Sequence, residues 1–368
     1  MSDPFKILRQ SHQGRDTVAV RWGKDGDHYA LTHLAAEGGQ IRPAGERRLL
    51  TPQGLLAHPR TLVFGERSGG GRSLLEWLRQ DSNVPWISAR GYRWGAEHFQ
   101  FSECLDAQVQ TLTEGLLGFA TGTAAERSQH LMGLARVIDQ PLHLLIRDLG
   151  GLGPESAEEA AQALRLFGEA TEQEDMLQKL HVLIVSTSEN RYEDRFDASG
   201  FAIMCERYRL PWLEPAEVTG MVQDRLFETV HGSPLTLDGD ALDELVQATG
   251  GQPLLVTEFL VRMASMGPEA SKRDIKKAYR HFRDQPPSAA RWWKTDLQAR
   301  LDDDSGLVDV LRNYVSGYSH AGETLPKPQH ALMYSGWIRF DRSIQRWKIA
   351  SRIHKHLAYE VLTERLER

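Results

Sequence analysis

The chain has 368 residues, which is long enough for two or three domains with separate hydrophobic cores. Its hydrophobic fraction of 40% and charged fraction of 26% are those of an ordinary globular protein. The formal net charge is −6, so the overall field of the molecule does not favour nucleic acid, although a local basic face is compatible with that total.

The two cysteines, Cys104 and Cys205, lie far apart and form no CxxC pair. We therefore expect ordinary semi-buried thiols rather than a disulfide framework or a zinc site. The N-terminal stretch MSDPFKILRQSHQGRD has no apolar segment of signal-peptide length, and no run of about 18 apolar residues occurs anywhere. A cytoplasmic protein without membrane contact is the expectation.

Residues 1–55 form the first unit in chain order, and they are rich in β-forming residues. The runs TVAVRW at 17–22 and HYALTHL at 28–34 flank the turn-forming segment GKDGD, which predicts a hairpin. We interpret 1–55 as a β-rich N-terminal extension.

Residues 56–212 alternate between short apolar runs and segments with helical periodicity. Strands are predicted at 61–65, 84–89, 142–148 and 181–187, and helices at 105–117, 124–138 and 155–180. Short buried strands alternating with helices predict an α/β domain with a parallel sheet covered on both faces.

Two further units follow. Residues 213–300 predict a helical lid subdomain and a basic linker helix, Lys272 to Arg283. Residues 301–368 read as helix, helix, β-hairpin and helix, the outline of a winged-helix domain.

A glycine-rich turn follows the first predicted strand of the α/β unit, in TLVFGERSGGGRSLLEWL at 61–78. Strand, glycine-rich turn and helix are the layout of a phosphate-binding P-loop, where backbone N–H groups at a helix N-terminus converge on phosphate oxygens. The P-loop pattern G-x-x-x-x-G-K-[ST] also needs a lysine for the outer phosphates and a hydroxyl for Mg²⁺. The candidate nucleotide-binding residues are Gly69, Gly70, Gly71, Arg72 and Ser73, with Ser73 as the Mg²⁺ ligand.

The turn departs from that pattern. Glu66 stands at the first glycine position, Gly65 comes one residue too early, and Arg72 replaces lysine. Arginine keeps the charge, but its planar fork is bulkier and differently aimed than an ammonium group. A strand–helix turn that needs glycine for structural reasons alone remains an alternative.

Polar residues also end two later strands. In QPLHLLIRDLGGL, an active ATPase would carry one acid for Mg²⁺ and a second, catalytic acid to polarise the attacking water. Asp148 is the only acid present: in one alignment it is the candidate catalytic residue, with Arg147 at the Mg²⁺ position, and in an alignment shifted by one residue it is the Mg²⁺ ligand. After HVLIVST, Ser188 and Asn190 are candidate γ-phosphate sensors, and Arg195 is a candidate arginine finger for a neighbouring subunit. Such residues are also typical of any loop after a buried strand, so a structural role stays open.

The segment ATGGQPLLV adds a glycine–x–proline motif at Gly251, Gln252 and Pro253. The P-loop-like turn, the two polar-ended strands, the helical lid, this motif and the winged helix occur in an order that resembles the STAND branch of AAA+-type P-loop ATPases, and in outline the origin-recognition-type ATPases. The resemblance runs from about Leu50 to the C-terminus. It implies a P-loop NTPase-like fold with degenerate Walker A and Walker B motifs, ATP or ADP with Mg²⁺ as ligand, and Pro253 near the nucleotide.

The predicted winged helix is basic. A basic wing can contact DNA phosphates, dock a protein partner, or serve only as a solvated face. The candidate nucleic-acid or partner-binding residues are Arg339, Arg342, Arg346, Lys348 and Arg352.

We therefore predict that the chain keeps the P-loop NTPase-like fold but lacks some of the charged groups that phosphoryl transfer needs. We expect a catalytically impaired or inactive ATPase that acts as a partner-binding, scaffold or regulatory component. The family resemblance implies a multiprotein conflict, signalling or mobile-element system. Two alternatives stay open: an active oligomeric ATPase with an arginine-containing P-loop, and a DNA-binding regulator that uses the winged helix.

Overall fold

The structure is a computed structural model that describes most of the chain from Tyr29 onward. The described residues are 29–33, 36–37, 40–41, 47–65, 71–79, 85–89, 95–147, 154–187, 200–210, 212–223, 235–284, 288–322, 325–326, 329–341 and 343–367.

Eight of the described strands form one mixed sheet, and the others form small two- and three-stranded sheets. The strands are β1 (Tyr29–His33), β2 (Ala36–Glu37), β3 (Gln40–Ile41), β4 (Arg47–Leu50), β5 (Arg60–Gly65), β6 (Trp86–Ala89), β7 (Phe99–Phe101), β8 (Leu142–Arg147), β9 (Leu180–Thr187), β10 (Glu206–Arg209), β11 (Thr236–Leu237), β12 (Glu269–Ala270), β13 (His320–Ala321), β14 (Ile338–Asp341) and β15 (Arg346–Ile349).

Helices cover both faces of the large sheet and make up most of the C-terminal half. The α-helices are α1 (Pro52–Leu56), α2 (Gly71–Arg79), α3 (Val109–Phe119), α4 (Ala124–Val137), α5 (Pro154–Thr171), α6 (Pro215–Gln223), α7 (Gly239–Thr249), α8 (Pro253–Met266), α9 (Lys272–Asp284), α10 (Ser288–Asp303), α11 (Gly306–Val315), α12 (His330–Tyr334) and α13 (Arg352–Leu366). Short 3-10 helices span Ala96–His98, Glu103–Gln108, Asp175–Lys179 and Phe201–Met204.

The large sheet has the order β4-β1-β10-β5-β9-β8-β6-β7, and its five central strands, β10 to β6, run parallel. Alternate residues of β5 belong to opposite faces: Leu62 and Phe64 pack in the core with α3, α4 and α5, whereas Val63 packs with α2. Near-continuous burial of these strands follows from helices on both sides. The expected α/β P-loop NTPase-like fold is confirmed.

The N-terminal strands extend this sheet beyond β10. β1 pairs antiparallel with both β10 and β4, and Leu31 and Leu55 are buried in the same core as α2. Residues 17–22, the first strand of the expected hairpin, lie outside the described residues. The sequence did not indicate this pairing, because antiparallel partners so distant along the chain leave no local signal.

The long acidic helix expected over 155–180 ends earlier, at Thr171. The Arg60 Nη1 group donates hydrogen bonds to the Gly168 carbonyl oxygen and to Thr171 Oγ1, both at 2.8 Å. Arg60, the first residue of β5, thus supplies hydrogen-bond donors to the last turn of α5. A 3-10 helix then leads into β9.

The C-terminal half contains the expected helical subdomain and winged helix. Helices α6 to α9 form the helical subdomain, and α10 leads out of it. Helices α11, α12 and α13 surround the antiparallel sheet β13-β15-β14, with Trp337 and Trp347 fully buried. No described helix combines the length and apolar composition needed to cross a bilayer.

Candidate functional site

The P-loop-like turn connects the carboxyl end of β5 to the start of α2. Gly71 is the first residue of α2 and is buried. Gly69 and Gly70 lie outside the described residues, and for Arg72 and Ser73 only the helical backbone is described. Helix α2 follows the carboxyl end of β5 and packs on β8 and β9, so its N-terminus lies at the carboxyl edge of the sheet. The first N–H groups of a helix have no acceptor within the helix, and together with the helix dipole they favour an anion at that position.

The strand order reverses beside β5. From β5 the chain passes through α2 on one face of the sheet and enters β6, which lies three positions away in the strand order. From β9 the chain goes in the opposite direction and enters β10, on the other side of β5. The connections from β6 to β8 and from β8 to β9 lie on the other face, through α3, α4 and α5. In open α/β sheets, ligands bind in the crevice outside such a reversal point. The end of β5 at Gly65 and the start of α2 at Gly71 lie beside that reversal.

The strand ends at this crevice are polar but carry no carboxylate among the described residues. Gly65 of β5 pairs in register with Thr187 of β9, so the two strands end at the same level. Arg147, the last residue of β8, pairs with Val185. The remaining predicted residues at this edge lie outside the described residues: Asp148, Ser188, Asn190 and Arg195.

A magnesium ion here would need oxygen ligands, preferably carboxylates. In the described part of the chain, no three His, Cys, Asp or Glu side chains are grouped to hold a metal. The described strand ends, Gly65, Arg147 and Thr187, do not supply a carboxylate either. The described residues therefore do not fit Mg²⁺ by themselves, and the expectation depends on the Ser73 hydroxyl and on Asp148.

The glycine–x–proline motif forms the turn between α7 and α8. Gly250 (φ +67°) and Gly251 (φ +82°) adopt left-handed conformations that residues with side chains rarely adopt. The Gln252 Oε1 atom accepts the Leu255 N–H at 2.8 Å and caps α8, whose first residue is Pro253. That Pro253 lies near a nucleotide stays a prediction.

Two other parts of the chain contact this turn. Leu213, which follows β10, donates its N–H to the Gly251 carbonyl oxygen at 2.7 Å. A Cβ atom at position 250 would lie 2.3 Å from the carbonyl oxygen of Ala350, and one at position 251 would lie 2.0 Å from that of Leu213. The turn is therefore in close contact with the segment that follows β10 on one side and with the winged helix on the other.

Arg339 of β14 reaches the same turn. Its Nη1 group donates to the Gly250 carbonyl oxygen, and its Cζ atom lies 5.9 Å from the ring centroid of Trp212. Burial lowers the pKa of Arg339, and the nearby charges of Asp341 and Glu214 oppose that shift. We therefore correct the expectation that Arg339 contacts nucleic acid or a partner, because the side chain lies inside the junction.

Arg352, another predicted binding residue, is partly exposed but also contacts the helical subdomain. Its Nη1 and Nη2 groups donate to Glu244 Oε1 and Gln247 Oε1, both on α7. The Glu244 side chain is only 5% exposed, so Arg352 neutralises a buried carboxylate of the helical subdomain. Arg352 therefore forms an interdomain contact, and that it also contacts a nucleic acid or partner stays a prediction.

The other basic residues of the winged helix differ in their surroundings. Lys348 forms an ion pair with Asp341 on the neighbouring strand. Arg346 is exposed, and its Nη1 group donates to Ser319 Oγ at 3.1 Å. Arg342 lies outside the described residues. Among the described members of the predicted set, Arg346 is exposed and forms no ion pair with a described residue.

A buried histidine that no sequence motif indicates completes the junction. His354 of α13 is 1% exposed and lies between Trp212, Trp293 and Trp337, with ring centroids 5.2 to 5.4 Å apart. Ser351 Oγ lies 2.8 Å from His354 Nδ1. The adjacent tryptophans at 292 and 293 indicate a packing contact between domains, but nothing in the sequence indicates that a histidine lies at the centre of that contact.

The fold and this junction define a class of protein: an α/β P-loop NTPase-like domain joined to a helical subdomain and a winged helix. No family model matches the chain. No curated protein matches it at a significant level.

Solved structures of similar outline exist. The chain is similar to Cdc6p of Pyrobaculum aerophilum, with 15% identity, 97% of this chain and 94% of that chain covered, and a TM-score of 0.38. It is similar to the ORC2 protein of Aeropyrum pernix, solved as ADPNP-ADP complexes, with 12% identity, 84% and 89% coverage and a TM-score of 0.39. It is also similar to the RuvB Holliday junction branch migration motor of Thermotoga maritima, with 10% identity, 81% and 87% coverage and a TM-score of 0.36. At such identities and TM-scores, the likeness establishes neither a family nor an activity for this chain.

Proposed function

We propose that this protein is a catalytically impaired P-loop ATPase-like module that binds ATP or ADP at the β5–α2 turn and acts as a partner-binding or regulatory component. The observation that carries the proposal is the shared turn at Gly250–Gly251. That turn contacts Leu213 at the exit of the parallel sheet and Arg339 and Ala350 in the winged helix. A ligand that shifts the helical subdomain would therefore also shift the winged helix.

The nucleotide part of the proposal is supported by the sheet. A helix N-terminus at a reversal of strand order, next to a glycine-rich turn, suits a phosphate group. The impairment is supported by charge. Arginine stands where the phosphate-binding lysine is expected, and the described ends of β5, β8 and β9 bring no carboxylate. Hydrolysis depends on positioned charges of this kind.

Binding and hydrolysis are tested separately. ATP and ADP should each raise the thermal unfolding midpoint, by an amount that corresponds to about 2.7 kcal/mol at 100 times Kd. Arg72→Ala should abolish that shift, whereas Arg291→Ala, which removes an exposed arginine of α10, should preserve it. A wild-type protein whose midpoint does not respond to either nucleotide would remove the basis of the proposal.

Phosphate release tests the impairment. The purified protein should release no phosphate above a blank over many hours, with Asp148→Asn indistinguishable from the wild type. Release that Asp148→Asn abolishes would instead support the active-ATPase alternative.

Coupling to the winged helix is tested with nucleotide and protease together. Bound nucleotide should change the rate of cleavage within residues 301–368, and Arg339→Met should weaken that effect while nucleotide affinity is retained. An unchanged nucleotide effect in Arg339→Met would show that the turn does not transmit the signal.

A further inference from the structure

Helix α9 carries a stripe of basic side chains that the proposed function does not use. Arg273, Lys276, Lys277 and Arg280 follow the spacing i, i+3, i+4, i+7, so they share one face of the helix. All four are exposed. We call these four residues the α9 stripe.

The stripe lies away from the buried face of α9. Ile275 and Ala278 are fully buried, and Phe282 stacks on Phe259 of α8 with ring centroids 4.6 Å apart. These contacts fix the rotation of the helix. The basic side chains are consequently held outward by the packing of the apolar ones.

The four cations of the stripe form no ion pair within the described part of the chain. The nearby charged groups that do pair lie at its two ends: Lys272 faces Asp240 at 3.7 Å, and Arg283 bonds Asp284 at 2.9 Å. Asp274 accepts hydrogen bonds from the Ser271 hydroxyl and N–H; these bonds, and secondarily the charges of Lys277 and Arg273, lower its pKa, so one carboxylate offsets part of the positive charge of the stripe. Four like charges on one turn-spaced face repel each other, which is unfavourable unless an anion lies across them. In a chain of net charge −6, this concentration of positive charge is a local exception.

We propose that the α9 stripe binds the sugar–phosphate backbone of a nucleic acid. The stripe spans residues 273–280, or about 10 Å along the helix axis. Phosphates of one DNA strand succeed each other every 3.4 Å along the duplex axis, so the stripe faces about three of them. Backbone contacts of this kind fix position without recognising sequence.

The composition of the stripe favours a nucleic acid over an acidic protein. Protein interfaces depend on apolar and aromatic anchors at their centre and are depleted in lysine. The exposed face of α9 has no apolar anchor, because its apolar residues are turned into the core. Phosphate recognition needs only positive charge and donors, which arginine and lysine supply.

The neighbouring surface extends the positive charge. The Tyr279 hydroxyl donates to the Arg352 carbonyl oxygen at 3.5 Å, which brings α9 against the start of α13. Lys355 is exposed one turn further along α13, on the same face as Arg352 by helical spacing. The α9 stripe is thus placed beside the winged helix without depending on its hairpin.

The test uses the full chain and fluorescently labelled 24-base-pair duplex DNA of arbitrary sequence, with single-stranded DNA and duplex RNA of equal length as separate arms. Binding is measured by anisotropy between 50 and 300 mM salt. The variant changes Arg273, Lys276, Lys277 and Arg280 to Gln, a good helix former that removes the charge. The matched control is Arg346→Gln with Arg312→Gln, which removes exposed charge from the winged helix outside the surface beside the stripe.

The stripe variant should bind at least tenfold more weakly than the wild type at low salt, and its slope of log K against log salt should be about 3 units shallower. The winged-helix control should keep at least half of the wild-type affinity, and a charge-retaining variant, Arg273→Lys with Arg280→Lys, should bind like the wild type. The proposal is overturned if the stripe variant binds as tightly as the wild type, or if the wild type binds no nucleic acid. It is also overturned if the wild type binds polyglutamate instead of nucleic acid. The thermal unfolding midpoints of the variants should equal that of the wild type, which shows that a loss of binding is not caused by unfolding.

Discussion

The guanidinium of Arg339 donates a hydrogen bond to the carbonyl oxygen of Gly250, and this bond joins the winged helix to the turn of the helical subdomain. A carbonyl oxygen at the end of a helix has no partner within the helix, so an arginine from another domain satisfies it. The relationship links residues 89 positions apart in the chain.

Replacing Arg339 tests this link. Arg339→Met keeps much of the apolar stem but removes the charged donor, and it should lower the free energy of unfolding by about 2 kcal/mol. Arg346→Met, in the same hairpin but exposed, should change it by no more than about 0.5 kcal/mol. Denaturant unfolding measures both. Equal effects of the two substitutions would mean that the buried bond adds nothing beyond an average surface arginine.

Gly250 should not tolerate a side chain. Gly250→Ala places a Cβ 2.3 Å from the Ala350 carbonyl oxygen in a left-handed conformation, and we expect a loss of about 2 kcal/mol or more. Gly239→Ala is the matched control, because nothing lies within 4 Å of its added Cβ. Thermal and denaturant melts should show the control neutral or slightly stabilised. A neutral Gly250→Ala would show that the domains separate without cost.

The Arg352–Glu244 pair should contribute more than an ordinary surface pair. Arg352→Ala leaves the buried Glu244 carboxylate without its cation, and because Arg352 is 44% exposed we expect a loss of only about 1–2 kcal/mol. Arg312→Ala breaks the exposed Arg312–Asp309 pair and should cost at most about 0.5 kcal/mol. A double-mutant cycle with Glu244→Gln isolates the coupling energy. Strict additivity of the two substitutions would argue against a direct interaction.

Two buried histidines predict how stability depends on pH. Burial, and secondarily the charge of Arg339, lowers the pKa of His354 to about 3, and burial with the neighbouring His181 lowers that of His143 to about 4. An unfolded histidine titrates near pH 6.5, so between about pH 6.5 and 4 the unfolded chain binds protons that the folded chain does not.

The free energy of unfolding should therefore fall as the pH falls through that window, by up to about 1.4 kcal/mol per pH unit for each histidine. Stability measured in denaturant at pH 7.5, 6.0 and 5.0 gives the slope. His354→Gln should reduce that slope, whereas His58→Gln, at an exposed position, serves as the matched control. A His354→Gln protein with the wild-type slope would contradict the assignment.

The main strands were predictable because a continuous run of apolar residues in the sequence indicates a buried strand. TLVFG, LHLLI and HVLIVST are continuous apolar runs, and each became a parallel strand within one or two residues of its predicted limits. What the sequence could not show was contact across the chain. β1 joins β10, and Arg60 ends α5, through interactions between residues more than 100 positions apart. Arg339 failed as a predicted surface residue for the same reason, since residue type shows charge but not which neighbour faces it.

The pairing of β1 with β10 has a practical consequence for anyone who shortens this protein. A fragment starting at residue 52 would lack β1 and β4, and the outer backbone groups of β10 would lose their hydrogen-bond partners. A bare row of N–H and C=O groups is a template for a strand of another molecule, so such a fragment would self-associate and precipitate. Strands β1 and β4 should therefore be kept in any shortened version of the protein that contains the α/β domain.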